Sequence, residues 1–114
     1  MLRICLKSKI HNAVVTGASV DYVGSITIPE DLMDETDLWD GEKVLVASCK
    51  TGKRLETYVL TGEVGSGKIE MNGAAAHEIG TGEQVIIMAF GITDKPLNPK
   101  IIFCNSDNQI VGRK

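Results

Sequence analysis

A glycine–serine pair, Gly24 and Ser25, lies among β-forming residues in the stretch Tyr22–Thr27, where the chain needs no simple turn. Glycine has no Cβ and tolerates backbone angles closed to other residues, so the peptide after Gly24 could be held strained. The Ser25 hydroxyl could then attack the Gly24 carbonyl and convert the amide into an ester. β-Elimination would release the upstream chain and leave dehydroalanine, which hydrolyses to a pyruvoyl group. If the Ser25 hydroxyl can reach this carbonyl, the protein can cut itself.

A pyruvoyl ketone would give the new N-terminus an unusual chemistry. It can form a Schiff base with an amine and withdraw electrons from it, as pyridoxal phosphate does, which suits the decarboxylation of an amino acid. The dipeptide alone does not decide the matter, because Gly65–Ser66 is a second copy. Most glycine–serine pairs lie in turns or linkers. A reactive junction and an ordinary turn both stay open at this point.

Polar residues on a predicted strand could serve such a reaction. Alternation along the strand would place Arg54 and Tyr58 on one face and Thr57 on the other. An arginine can clamp a carboxylate through two parallel hydrogen bonds, and a tyrosine, with an ordinary pKa of about 10, can return a proton. The backbone N–H groups of Asn72–Ala76, at the start of a predicted helix, could bind an anion. Surface packing and an ordinary Asn-Gly turn are the competing interpretations.

Composition narrows the class of protein. The 114 residues, 43% hydrophobic and 24% charged, suit one compact domain over residues 1–114. A net charge of −3 and an aromatic content of 4% argue against a nucleic-acid partner. The sequence has no signal-like apolar run and no stretch of 18 apolar residues, so we expect a cytoplasmic protein without a membrane partner.

The cysteines and histidines do not suggest a metal site. Cys5, Cys49 and Cys104 are widely spaced and form no C-x-x-C pair, so we expect buried free thiols. His11 and His77 have no cysteine or carboxylate nearby at ligand spacing. The sequence therefore predicts no bound metal.

The periodicity of the chain predicts short strands and two brief helices. One helix is expected to open with Pro29 at its first position, and the other spans Ala74–His77. Turns are expected at Ala18–Asp21 and, in a hairpin, at Thr51–Lys53. The predicted strands are Leu2–Lys7, Lys9–Val15, Ser25–Ile28, Lys43–Ser48, Arg54–Thr61, Lys68–Met71, Gln84–Gly91, Lys100–Cys104 and Gln109–Val111.

An internal echo suggests two similar halves. The segment Gly41–Val46 recurs as Gly82–Ile87, and each copy follows a candidate helix and a polar turn. Two related units that close on each other would form a small barrel without free edges. Chance similarity is an open alternative, since Gly-Glu before a valine-rich strand is common.

Together, these segments resemble the aspartate 1-decarboxylase family, the pyruvoyl-dependent bacterial enzymes of pantothenate synthesis. The resemblance covers residues 1 to about 104, and its motifs are ordered and spaced as in that family. The matching stretches are Met1–Arg3, Lys7–His11, Asp21–Ser25, Gly52–Arg54, Thr57–Tyr58, Gly65–Ser66 and Asn72–His77.

The resemblance implies a mainly β fold, a small double-psi β-barrel with short helices, and a homotetramer whose active sites lie between subunits. It also implies self-cleavage between Gly24 and Ser25 into fragments 1–24 and 25–114. The cofactor would be a covalent pyruvoyl group derived from Ser25, without metal or pyridoxal phosphate. The implied reaction converts L-aspartate to β-alanine and CO2. A maturation factor is an open question.

The resemblance further implies a role for each matching residue. Arg54, helped by Lys9, would hold a substrate carboxylate, and Thr57 would lie beside the scissile carbonyl, aid cleavage and later contact substrate. Tyr58 would protonate the carbanion. The other implied residues are Asn72, which stabilises the developing oxyanion, Gly73, Ala74 and Ala75, whose backbone lines the site, and His11 and Tyr22, which flank the processing region.

Two positions depart from the family pattern. Ala47 stands where some members carry a tryptophan, and Val64 stands where an arginine often precedes Gly-Ser. The tail after Cys104 matches poorly. The alternative to a decarboxylase is an uncleaved, non-catalytic double-psi barrel that acts as a binding module.

Overall fold

A computed structural model describes residues 1–21 and 24–114. Most of this part of the chain is β-strand, which confirms the expected mainly β fold with short helices. The elements are β1 (Arg3–Val14), β2 (Gly17–Ser19), β3 (Ser25–Pro29), α1 (Glu30–Thr36), β4 (Lys43–Ser48), β5 (Arg54–Gly62), β6 (Glu70–Asn72), α2 (Ala75–Glu78), β7 (Gln84–Thr93), β8 (Lys100–Cys104) and β9 (Ile110–Arg113).

The strands form one sheet in the order β2-β6-β3-β5-β4-β7-β1-β8-β9. The antiparallel pair of β4 and β7 lies near its middle. Outward from this pair, both sides repeat one sequence of pairings, which is antiparallel, then parallel, then antiparallel. On one side these pairs are β4–β5, β5–β3 and β3–β6; on the other they are β7–β1, β1–β8 and β8–β9. The arrangement is consistent with a small β-barrel built from two similar halves.

The central pair shows where the two halves meet. Val46 of β4 pairs with Ile87 of β7, and these residues occupy equivalent positions in the two echo segments. On either side, Leu45 pairs with Met88 and Ala47 with Ile86, so the register is symmetric about the Val46–Ile87 pair. The echo in the sequence therefore corresponds to a repeat in the structure.

The turns before the two central strands repeat the same bonds. Gly41 and Gly82 have φ angles of 83° and 90°, which favour glycine. The N–H of Gly41 donates to Val59 O at 2.7 Å, and the N–H of Gly82 donates to Val15 O at 2.7 Å. Each partner returns a bond of 3.0 Å, Val59 to the carbonyl of Glu42 and Val15 to that of Glu83. The similarity of the two segments therefore extends from their sequence to the geometry of their turns.

The core lies inside the sheet and is closed on one side by α1. Apolar residues of β1, β3, β4 and β7 are fully buried and pack with Leu32 and Met33 of the helix. Burial of this apolar surface is the main stabilising contribution to the fold. The strand residues concerned include Ile10, Ala13, Ile26, Ile28, Val44, Val46, Val85 and Ile87.

The first strand differs from the prediction. We expected two strands, Leu2–Lys7 and Lys9–Val15, but β1 is continuous and pairs with β7 along its length. Its register shifts between Leu6 and Ser8 and again between Ile10 and Ala13. Such bulges bend a strand without ending it, and they interrupt the alternation on which the prediction rested.

The first helix begins one residue later than expected. Pro29 ends β3 and is the N-cap of α1, with φ −55° and ψ 137°, so its ψ angle is that of extended backbone. The predicted turn at Ala18–Asp21 is also displaced, because Ala18 belongs to β2, which runs parallel to β6. The remaining predicted elements are present with ends shifted by a few residues.

Candidate active site

Ser25 is the first residue of β3 and is fully buried between β5 and β6. It pairs with Asn72 of β6, and the Asn72 Nδ2 donates a hydrogen bond of 2.8 Å to Ser25 Oγ. A serine hydroxyl at a buried strand end, held by a side chain 47 residues away, is not the hydroxyl of a linker. The structure thus brings together two of the predicted site residues.

A cavity opens beside this strand end because β3 covers only part of the β5 edge. The parallel pairing of β3 with β5 begins at Ile26 and Val59. Continued toward the N termini, this register aligns Ser25 with Tyr58 and Gly24 with Thr57. Among the described residues, none pairs with the edge of β5 beyond Ser25, and a cavity of about 410 Å³ lies there. Its lining residues are Gly24, Leu55, Glu56, Thr57, Tyr58, Ala74, Ala75 and Glu78.

The position of the cavity at an open strand edge explains how consecutive residues line it. Thr57 is half-buried and Tyr58 is 37% exposed, as alternation along β5 requires. Both nevertheless contact the cavity, because an edge is accessible from both faces of its strand. Five of the predicted site residues therefore share one cavity within a single chain: Gly24, Thr57, Tyr58, Ala74 and Ala75.

Two carboxylates at the cavity are paired with lysines. Glu56 forms an ion pair with Lys43, and Glu78 forms one with Lys53 at 3.3 Å. These pairs are exposed, so their contribution to stability is small. They do reduce the local negative charge that would oppose an anionic ligand. Among the described lining residues, none is basic.

The segment after β6 has two distinct parts. Gly73 is buried with a φ angle of 69°, and its N–H donates to Ser19 O at 2.7 Å. This N–H therefore joins the end of β6 to β2 and is engaged within the chain. Ala74 and Ala75, at the start of α2, contribute to the cavity wall instead. The expected anion site at the helix start thus loses the Gly73 N–H as a donor.

Arg54 lies on the same strand as Tyr58 but not at the cavity. It is the first residue of β5, is exposed, and pairs with Ala47 of β4. Four residues along a strand correspond to about 13 Å. A clamp by Arg54 therefore requires its long side chain to extend toward the cavity, or a cavity contributed by another copy of the chain.

Lys9 and His11 lie on β1, which β4 and β7 separate from β5. Within one chain they are not brought to the cavity. The His11 ring packs edge-on against Phe103, with 5.3 Å between centroids, and its Nδ1 is buried without a hydrogen-bond partner among the described residues. Burial, and then the charge of Lys9, lower the pKa of His11. The imidazole is therefore mainly neutral near pH 7.

Two expectations lie outside the described residues. Tyr22, which the resemblance places beside the processing region, is one of them. The other is the expected backbone strain at Gly24. The φ angle of Gly24 depends on the position of Val23, which is also outside the described residues. A Cβ added at Gly24 would lie 3.9 Å from the Asn72 carbonyl oxygen, which is an ordinary contact distance.

The second glycine–serine pair lies in a turn between β5 and β6. Gly65 has a φ angle of 71°, and its N–H donates to Asp31 Oδ1 at 2.9 Å. Ser66 Oγ accepts a bond of 3.2 Å from the Lys68 N–H, two residues ahead. The preceding Val64, where family members often carry arginine, is 61% exposed.

The remaining predictions concern cysteines, metals and membranes. The expectation of buried thiols is wrong for Cys49, which is exposed, and for Cys5, which is half-buried. Cys104 is buried, and burial followed by the charge of Asp31 raises its pKa to about 11. Within residues 1–21 and 24–114, no cluster of three metal-ligating side chains occurs. The helices described in the structure all lack the length and apolar character needed to cross a membrane.

Sequence reasoning missed Thr27, which contacts Asn72, and three residues of the cavity wall. Thr27 Oγ1 accepts a bond of 3.1 Å from Asn72 Nδ2, the same nitrogen that bonds Ser25. The signal was present, because residues two apart on a strand share a face. Leu55, Glu56 and Glu78 were also missed as cavity residues; nothing in their types pointed to a site.

Comparison with known proteins agrees with the geometry. The family model described as aspartate decarboxylase matches residues 1–111. A curated relative, the aspartate 1-decarboxylase of Acetivibrio thermocellus, is 50% identical over 113 residues, which cover 96% of this chain and 90% of the relative. The family match spans Ser25, Tyr58 and Asn72. The chain therefore belongs to the aspartate decarboxylase family of enzymes.

Proposed function

We propose that this enzyme decarboxylates L-aspartate to β-alanine and CO2 with a pyruvoyl group that it makes from its own Ser25. The chain would first cut itself between Gly24 and Ser25 into fragments 1–24 and 25–114. One observation carries the proposal. Ser25 is buried and held by Asn72, while the adjoining Gly24 lines an open cavity together with Thr57 and Tyr58.

The residues around the junction fit a group formed at this place. Ser25 is fully buried on a strand that lies between β5 and β6, and the adjoining Gly24 lines the cavity. Asn72 supplies a hydrogen-bond donor next to the Ser25 side chain. A carbonyl at residue 25 would therefore be supported from inside the sheet and open to a substrate from the cavity.

Self-cleavage needs only groups that the chain itself carries and water. Ser25 Oγ bonds to the Gly24 carbonyl carbon, the Gly24–Ser25 C–N bond breaks, and the hydroxyl proton passes to the nitrogen. Loss of the Ser25 Cα proton and cleavage of the Cβ–O bond then leave Gly24 as a carboxylate and residue 25 as dehydroalanine. Hydrolysis replaces the nitrogen by oxygen and releases ammonia. Asn72 fixes the attacking oxygen, and Thr57 lies next to Gly24 in the cavity wall.

Decarboxylation assigns roles to Tyr58 at the cavity and to three residues outside its lining, Asn72, Arg54 and Lys9. When present, a pyruvoyl ketone binds the substrate amine and accepts the electrons released as CO2 leaves. Tyr58, whose side chain reaches the cavity, donates the proton that the product carbon requires. Asn72 donates a hydrogen bond to the oxygen on which negative charge develops. Arg54 and Lys9 bind a carboxylate of aspartate.

A homotetramer would reconcile these roles with the positions of the two basic residues. Lys9 and Arg54 lie away from the cavity of their own chain, so a neighbouring subunit is a suitable source for them. An exposed apolar groove of about 390 Å³, lined by Ile4, Phe90 and Ile92 among others, is a candidate contact between subunits. Exposed apolar patches of this kind commonly mark interfaces.

The cellular setting completes the proposal. β-Alanine made in the cytoplasm would supply pantothenate and so coenzyme A synthesis. Maturation by the chain alone is the default, because the junction and its supporting residues lie in one chain. An assisting factor would act on the rate of cleavage and would not change its chemistry.

Mass spectrometry of the freshly purified chain tests the proposal. We expect two fragments, cut after Gly24, and a carbonyl at residue 25 that hydrazine or borohydride modifies. Modification should abolish β-alanine formation from L-aspartate. A single full-length mass in a folded, inactive sample would instead favour an uncleaved binding module. Full activity after carbonyl trapping would overturn the pyruvoyl mechanism.

A further inference from the structure

Thr27 shares a hydrogen-bond donor with the residue that is proposed to cut the chain. It lies two residues after Ser25 on β3, on the same face of the strand. Asn72 Nδ2 donates to Ser25 Oγ at 2.8 Å and to Thr27 Oγ1 at 3.1 Å. The Thr27 side chain is half-buried, and the Ser25 and Asn72 side chains are buried.

These two bonds use the whole donor capacity of the Asn72 side chain. A carboxamide nitrogen carries two hydrogens, and here each has its own hydroxyl acceptor. A single bond would leave the amide plane free to rotate about that contact, whereas two acceptors fix it. The rotation of the amide determines where Nδ2 lies relative to Ser25 Oγ. Thr27 is therefore the second point that defines the position of the donor.

The surroundings of Thr27 hold its hydroxyl in place. Thr27 pairs with Leu60 of β5 on one side and with Glu70 of β6 on the other. A Cβ added at Gly62 would lie 3.0 Å from Thr27 Cγ2, so the threonine methyl group packs closely over this glycine. A β-branched side chain in a strand has few accessible rotamers. The Thr27 hydroxyl is thus directed to Asn72 by its own packing.

We propose that Thr27 is a positioning residue for self-cleavage, which acts by fixing the Asn72 carboxamide against Ser25 Oγ. The inference rests on the proposed function and adds a residue to it. Thr27 does not touch the reacting Gly24 carbonyl; it acts through Asn72. Its hydroxyl also outlasts the cleavage step, because Ser25 Oγ leaves with the new Gly24 carboxylate. The bond to Thr27 then continues to hold Asn72 in the mature enzyme.

A pair of substitutions separates the hydroxyl of Thr27 from its packing. Thr27→Val keeps the β-branched shape and the methyl group over Gly62 but removes Oγ1, whereas Thr27→Ser keeps the hydroxyl. We expect Thr27→Val to slow the conversion of the full-length chain into its two fragments by about 3- to 10-fold. Thr27→Ser should mature at a rate within about twofold of the wild type. Intact-mass time courses on freshly purified chains give these rates.

Thr61→Val is the matched control, since it removes a threonine hydroxyl from the neighbouring strand β5, where that hydroxyl donates to Asp40 at 3.0 Å. It should mature like the wild type. A spectroscopic measurement checks the mechanism in the uncleaved Ser25→Ala chain. There, adding Thr27→Val should shift the NMR signals of the Asn72 side-chain hydrogens, and adding Thr61→Val should not.

The outcomes distinguish the positioning role from the proposed function. If the wild-type chain never cleaves, the proposed function fails. If the wild type cleaves and Thr27→Val cleaves equally fast, only the positioning role fails. The positioning role would also be overturned if Thr27→Ser slowed maturation as much as Thr27→Val does. The same holds if Thr27→Val left the NMR signals of the Asn72 side-chain hydrogens unchanged. In the matured fraction we expect Thr27→Val to lower kcat while KM for aspartate changes less than about twofold; an unchanged kcat would remove Thr27 from the mature site.

Discussion

The two glycine–serine pairs of this chain have the same composition and opposite surroundings. Ser66 lies in a turn, and its hydroxyl accepts a hydrogen bond from Lys68, within its own loop. Ser25 begins a buried strand, and its hydroxyl accepts a bond from Asn72 of a different strand. In the Gly65–Ser66 pair, the glycine adopts a left-handed turn conformation. In the Gly24–Ser25 pair, the glycine lines a cavity and the serine is buried.

Under the proposed mechanism, the difference means that the reactivity of a glycine–serine pair depends on the sheet around it and not on the two residues alone. A hydroxyl in an exposed turn exchanges among partners and water, so no single orientation is maintained. A hydroxyl fixed between two strands can be held in one orientation toward the preceding carbonyl. The Gly24–Ser25 junction also has a tyrosine at the adjoining cavity, Tyr58. The comparison therefore predicts that changes at the two junctions will have different kinds of effect.

Alanine at the two serines should give the largest contrast. Ser25→Ala removes the attacking oxygen, so we expect one full-length chain and no β-alanine. Ser66→Ala removes only a turn hydroxyl and should yield both fragments and near-normal activity. Intact mass and a β-alanine assay measure the two results. A cleaved, active Ser25→Ala chain would refute the assignment, and a block at Ser66→Ala would remove the distinction between the junctions.

Tyr58→Phe should separate cleavage from decarboxylation at the first junction. The phenyl ring preserves most of the cavity wall but cannot donate a proton. We expect normal fragments and a kcat reduced by about 100-fold or more. Steady-state kinetics on the fully matured enzyme give this value. Near-normal turnover would show that another group protonates the product carbon.

Arg54→Ala tests whether the cavity beside the first junction receives a basic side chain that lies outside it. Loss of a two-bond carboxylate contact should raise KM for aspartate by about 10- to 100-fold. Cleavage should continue. Lys50→Ala, which removes another exposed positive charge from the same hairpin, should leave KM almost unchanged. If Arg54→Ala leaves the affinity for aspartate unchanged, Lys9 becomes the candidate for binding the substrate carboxylate.

Alanine substitutions at the two glycines that flank Ser66, Gly65 and Gly67, should change the stability of the fold and not the cleavage reaction. Gly67 has a φ angle of 66°, and a Cβ there would collide with the Asp107 carbonyl oxygen. Gly67→Ala should lower the free energy of unfolding by about 2–4 kcal/mol. Gly65→Ala, with a φ angle of 71° but open space around it, should cost about 1 kcal/mol. Urea unfolding in the uncleaved Ser25→Ala background measures both, and an equal cost for the two would contradict the role of the Asp107 contact.

Local sequence signals were sufficient for most of the fold. Alternating apolar residues located the strands, and the Gly-Glu echo predicted two similar halves, which meet in the structure at the symmetric pairing of β4 with β7. The continuous first strand was not predictable in this way, because its bulges near Lys7 and Asn12 shift the alternation that periodicity detects. The start of α1 was also missed by one residue, since proline suits both the N-cap and the first helical position.

The candidate site depended more on the arrangement of strands. Ser25, Tyr58 and Asn72 could be chosen by residue type and by the family resemblance. Ser25, Tyr58 and Asn72 lie on neighbouring strands because β3 lies between β5 and β6. Spacing along the chain does not encode this long-range strand order. The same order brought Thr27 to Asn72 and left Lys9 and His11 on a distant strand. The spacing of Ser25 and Thr27 already indicated that they share a face, whereas the placement of Lys9 and His11 was not predictable from the sequence alone.

The position of β1 has a consequence for the mature enzyme. The proposed shorter fragment, residues 1–24, would contain this strand, which pairs with β7 and β8 and contributes Ile10 and Ala13 to the core. Cutting after Gly24 would therefore leave two polypeptides interlocked in one sheet, with nothing covalent to keep them together. After denaturation, such a protein could refold only when the two separate fragments associate again. Its renaturation would be concentration-dependent and would fail on dilution, unlike that of the uncut precursor.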